Sequence, residues 1–254
     1  MASCSPALRE PPSLEVLAHT TAVPEEAAAA ALLDEAQALF ALREPEAAQR
    51  ATGLTLQAAL NPATRYTALV ESVRVLLWIA HHDEDSPTRS QVATRAVDAA
   101  VWCGRTVPED PACDYWLGAA LGMQAQERRS TGLSALPEIE AAFRRAAAAA
   151  PDLESAAPDR GLALFYLRAP GWPTGPGDPD LGLDHARAAV ERFPQHPANL
   201  LALAEALEAT GNRDDAVETW RQAAAAAEAF TSAGDPDGPS WHSEAMQGLQ
   251  RATR

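Results

Sequence analysis

Between Pro197 and Ala223 the apolar and small residues recur at helical spacing. Leu200, Leu203, Ala204 and Leu207 form one stripe, Gly211 interrupts it, and Ala216, Trp220 and Ala223 form a second. Residues three and four apart share a helix face, so the pattern predicts two amphipathic helices that turn at Gly211. Small residues at Ala204 and Ala216 let the two backbones approach, and Trp220 fills the gap that remains. The same register holds one unit upstream, at Gly177, Gly182, Ala186, Ala189 and Pro194. Gly177 and Gly211 lie 34 residues apart.

That period resembles the tetratricopeptide repeat, a helix pair that cannot bury its own apolar face and must stack on neighbours. The rest of the chain reads as further helices near 24–42, 45–60, 62–82, 87–104, 111–129, 135–150 and 158–168. Alanine runs support them, and sustained period-two alternation occurs nowhere. A last helix near 240–252 has one apolar edge, Trp241, Met246 and Leu249, as a capping helix needs. The expected fold is all-α, a tetratricopeptide-like helical repeat solenoid of about 11 helices with a C-terminal capping helix. Residues 1–23, with Pro6, Pro11 and Pro12, read as an extended tether, and 24–254 as a single helical-repeat domain.

Three local features depart from plain repeats. Gly118 and Gly122 stand one turn apart on one helix, where a neighbouring helix is expected to come close. His81 to Asp85 reads as an acidic loop after a helix. Ala169 to Gly177 is rich in Pro and Gly, which excludes a helix, and carries Trp172 at its middle. Such an insertion often marks the functional face of a repeat protein, while packing of Trp172 onto adjacent helices is the other reading.

Composition narrows the function classes. The 254 residues carry 35 acids against 20 bases, a net charge of −15, and nucleic-acid binding needs the opposite balance. The longest apolar stretch, Leu69 to Ala80, is short and contains Glu71 and Arg74, so no membrane span is expected. Met1-Ala2-Ser3-Cys4 has no apolar run before it. Small residues, a cysteine and a polar, Pro-rich segment are also what surrounds a bacterial lipoprotein cleavage point, so Cys4 is either a lipidation site or an incidental residue. Cys103 and Cys113 are ten residues apart across a predicted helix turn, either a disulfide in an oxidising compartment or two thiols in a reducing one.

Candidate chemistry is sparse. Adjacent His81 and His82 lack the spacing that aims two rings at one ion, and no metal or other cofactor is expected. No nucleophile elbow, phosphate loop or dinucleotide fingerprint occurs, and no enzyme class emerges. Tetratricopeptide clamps for acidic peptides hold them with Lys, Arg and Asn on inner helix faces. The corresponding positions here, Ala198, Leu201, Ala202, Glu205 and Glu208, are apolar and acidic. They suit a hydrophobic ligand, a partner helix or self-association better.

Four stretches together resemble the T-component (TatT-like) family of TRAP transporters. They are Cys113-Asp114-Tyr115-Trp116-Leu117-Gly118, Tyr166-Leu167-Arg168-Ala169-Pro170, Gly177-Asp178-Pro179 and the repeat to Ala223. The likeness covers roughly residues 62–252. It implies a non-enzymatic periplasmic lipoprotein of helical repeats that works with a TRAP-type solute-binding protein on a hydrophobic ligand and associates as an oligomer. It also implies lipidation at Cys4 and a Cys103–Cys113 disulfide. The candidate ligand- or partner-binding residues are Tyr115, Trp116, Tyr166, Trp172, Leu201 and Glu205. A generic cytoplasmic tetratricopeptide scaffold for protein–protein interaction is the alternative.

Overall fold

The structure, a computed structural model, describes residues 9–128 and 132–253. Among the described residues there are twelve α-helices and no strand, so the fold is all-α. Proline in the first turn sets many of the helix starts, because the ring fixes φ where no amide hydrogen bond is lost. Pro45, Pro111, Pro179 and Pro197 all sit there. Asp110 and Asp178 cap the free amides behind them through their carboxylates. The chain divides into two compact units, Met1–Ala142 and Phe143–Arg254.

The first unit contains α1 (Leu14–Ala18), α2 (Glu26–Phe40), α3 (Pro45–Ala58), α4 (Arg65–His82), α5 (Ser86–Thr106) and α6 (Pro111–Glu127). From α2 onward each helix packs on the next, and α4 also packs on α6. One core cluster joins Ala36, Phe40, Ala48, Ala51, Val75 and Ile79. Ser72 and Thr55 are buried polar residues, and the Ser72 hydroxyl donates to Thr55 at 2.9 Å, which keeps the α3–α4 contact free of an unpaired hydroxyl. Cys103, near the end of α5, is bonded to Cys113, in the first turn of α6.

The expected tether is corrected over its described part, residues 9–23. Ser13 caps the five-residue α1, whose Leu14 and Leu17 are buried, and α1 packs on α3. The segment before it is pinned to α5. Arg9 pairs with the buried Asp98 at 2.7 Å, the Trp102 indole donates to the Pro12 carbonyl at 2.8 Å, and Arg105 grips both oxygens of Glu10. The prolines fit because an extended chain lying on a helix needs no internal amide bonds. Cys4 lies outside the described residues.

Two further expectations change. His81 and His82 end α4 and do not lie in the loop; the His82 ring stacks on Trp78 one turn back, with centroids 4.3 Å apart. At Gly122 a side chain would meet nothing within 4 Å, so no helix is drawn close there.

The second unit contains α8 (Ala157–Arg168), α9 (Pro179–Arg192), α10 (Pro197–Ala209), α11 (Arg213–Ser232) and α12 (Gly238–Ala252); α7 (Leu136–Ala149) spans the division. From α8 each helix packs on the next, and α8 on α10 and α10 on α12 as well. The periodic positions lie inside: Leu200, Ala204, Leu207, Ala216, Trp220 and Ala223 are buried, as are Gly182, Ala186 and Ala189. Gly211 takes a φ of +80°, the left-handed turn that glycine adopts without strain. Asn199 is fully buried. It accepts from Arg160 at 2.5 Å and donates to the carbonyls of Ser155, Ala189 and Phe193, so one side chain ties α10 to three chain segments.

Candidate functional site

The loop 169–177 leaves the end of α8 and closes on itself before α9. Gly171 and Gly177 form an isolated backbone bridge, and the amides of Thr174 and Gly175 both donate to the Gly171 carbonyl. The Gly177 amide donates to Pro170 and the Asp178 amide to Tyr166, at 2.8 and 3.0 Å. A side chain at Gly177 would overlap the Ala169 carbonyl, so the closure requires glycine. These bonds hold the loop without help from Trp172, whose side chain is 90% exposed. Of the two readings of this insertion, packing of the indole onto adjacent helices is therefore not what is seen, and a large apolar ring faces solvent from a braced loop.

Under the loop, Tyr166 is buried and stacks on His185, with ring planes 13° apart. Arg144 donates to the Tyr166 hydroxyl at 2.7 Å, and the His185 ring nitrogen lies 2.9 Å from a carboxylate oxygen of Asp159. Tyr166 is thus a support for the loop entry and not a contact surface.

Charged groups line neighbouring helices beside the loop entry. Arg168, the last residue of α8, donates from Nε and Nη2 to the two carboxylate oxygens of Glu205 on α10, at 3.1 and 2.8 Å. Burial works against the charge on Arg168, but the paired Glu205 and the nearby Glu244 of α12 raise its pKa above the usual guanidinium value. The Glu244 carboxyl is pushed up by the protein packed around it. Arg168 and Arg251 pull it down, and Glu205 adds to the rise. Glu244 still meets solvent.

The remaining predicted residues divide differently. Leu201 is buried in the core with Leu200, Ala204, Trp220 and Ala223, so it offers no ligand surface. Ala202 is buried as well, so of the expected inner face Ala198, Glu205 and Glu208 keep some exposure. Tyr115 and Trp116 belong to the first unit, on α6, half-buried and edge to face at 4.7 Å. The Trp116 indole nitrogen is buried without a hydrogen-bond partner.

The structure therefore places Arg168, Glu205 and Glu244 on α8, α10 and α12 of the second unit, and Trp172 on the loop that follows α8. Arg168 and Glu244 escaped sequence reasoning. The one available signal was the 37-residue separation of Arg168 and Glu205, close to the repeat period, which sets equivalent helices side by side. An exposed indole can hold another molecule by apolar contact, and charges on the helices of the same unit can add ion pairing. No family model matches this chain, and no curated protein matches it either.

Proposed function

We propose that this protein is a non-enzymatic helical-repeat interaction module that docks a protein partner through the Trp172 loop. The observation that carries the reading is the exposure of Trp172 on a loop already braced by its own backbone bonds. A tryptophan left in water on a rigid support forgoes its burial energy, and tryptophans of this kind often dominate protein interfaces. Its fixed backbone means that little ordering entropy is lost on docking. The Arg168–Glu205 pair, at the end of the helix that leads into the loop, and Glu244 of α12 supply charge for register.

The resemblance to TRAP transporter T-components gives the partner a class, a periplasmic solute-binding protein. The Cys103–Cys113 bond fits an oxidising compartment, in keeping with that reading. The test is calorimetric titration of the full chain with a TRAP-type periplasmic solute-binding protein from the same organism. Binding is expected, and Trp172→Ala should weaken it by about tenfold or more, equivalent to ~1.4 kcal/mol or more. Absence of binding by the native chain overturns the TRAP assignment. Equal binding by both forms overturns the role of the loop.

A further inference from the structure

We propose that residues 9–18 form a strap whose docking is controlled by the Cys103–Cys113 disulfide. The strap has three polar anchors on α5: Asp98, Trp102 and Arg105, which hold Arg9, the Pro12 carbonyl and Glu10. Cys103 lies between the second and third of these, in the final turns of α5. The end of a helix is where its backbone opens first, because the last carbonyls have no partner within the helix. Here the crosslink joins that end to the first turn of α6, which is itself fixed by the Asp110 cap and by the Tyr66 hydroxyl donating to Asp110 at 3.1 Å. The disulfide thus braces the short stretch of α5 on which Trp102 and Arg105 must stay in register. Strap and bond also share a wall. Arg9 and Glu10 line one side of a cleft of about 320 Å³, and Arg105, Cys113 and Asp114 line the other.

Cys103 and Cys113 are buried, at 0% and 3% exposure, and Cys113 lines this cleft, which gives an approach to the bond. A small dithiol reductant entering there attacks the Cys113 sulfur and expels the Cys103 thiolate, which takes up a proton. The second thiol of the reductant then closes its own disulfide and releases Cys113 as a thiol. The chain gains two electrons and two protons, and the reductant is oxidised by the same amount. With both thiols free, the last turn of α5 opens, Trp102 and Arg105 lose their alignment, and the strap is released. α1 has only five residues and two buried leucines, and a helix that short has little stability of its own.

The experiment is hydrogen exchange on the full chain, oxidised and after dithiothreitol, with two alkylatable thiols confirming reduction. The amides of Leu17, His19 and Thr20, bonded to Ser13, Val16 and Glu15 carbonyls, report the strap. Reduction should speed their exchange about tenfold or more and leave α11 unchanged. The Cys103→Ser, Cys113→Ser chain should reproduce the reduced pattern without reductant. Unchanged strap exchange after reduction overturns the proposal. So does loosening that comes only with loss of helix in both units, or a disulfide that resists dithiothreitol in the folded chain.

Discussion

Gly248 of α12 lies flat against the indole of Trp220 on α11: a Cβ at Gly248 would stand 2.5 to 2.6 Å from three atoms of that ring. Trp220 is 1% exposed and has nowhere to move. Gly248→Ala gains about 1 kcal/mol of helix propensity but forces an overlap costing about 1–3 kcal/mol or more, so overlap wins. Chemical denaturation should show the second unit destabilised.

The opposite sign is expected at Gly122 of α6, where the same substitution meets open space. Gly122→Ala should stabilise the first unit by up to about 1 kcal/mol, through helix propensity alone. An unchanged or lowered denaturation midpoint would contradict this.

Asn199 is the most heavily bonded buried side chain of the second unit. Asn199→Ala removes four hydrogen bonds at a buried site, those from Arg160 and to the carbonyls of Ser155, Ala189 and Phe193, at a cost of about 2–3 kcal/mol. Asn199→Asp is expected to be comparably damaging, because it keeps the shape and loses the donors. Thermal melts of both variants check the pair.

His196 sits at the start of α10 among Phe230 and Trp241, with ring centroids 5.6 and 5.3 Å away and a buried, unpartnered Nδ1. Burial lowers its pKa from 6.5 to about 4; Arg160 adds to the fall and Asp235 opposes it. A histidine depressed in the folded state stabilises fully above pH 6.5 and loses that contribution as pH falls towards 4. About 2 kcal/mol should disappear across that window, less than full conversion because the ring is partly solvated. His196→Phe should flatten the corresponding slope in melts at stepped pH.

Trp172→Ala, by contrast, should leave the melting temperature unchanged, because the indole touches too little of the protein to support it. A measurable loss would mean that the ring braces the loop after all.

Much of this fold was legible because its signals are local. Pro111, Pro179 and Pro197 mark helix starts, Gly211 marks a left-handed turn, and the spacing of Ala204, Ala216 and Trp220 marks a tight helix pair. The strap escaped notice because a five-residue helix has only Leu14 and Leu17 to declare it, and its anchors lie some 90 residues away along the chain. Leu201 was misjudged for a related reason. Helical spacing places it beside Glu205, but only the arrival of α11 and α12 decides that it is buried while Glu205 stays wet. Exposure of Trp172 was equally hidden, since the composition of a loop does not say which way its largest ring points.

That ring gives the protein an optical handle of its own. The chain has six tryptophans. Trp220 is sealed in the core, Trp78, Trp102, Trp116 and Trp241 are half-buried, and Trp172 alone stands almost wholly in water. A collisional quencher such as acrylamide will therefore extinguish the red-shifted emission of Trp172 first. Whatever covers the loop will shield that fraction, so a native, unlabelled sample can report its own occupancy by fluorescence.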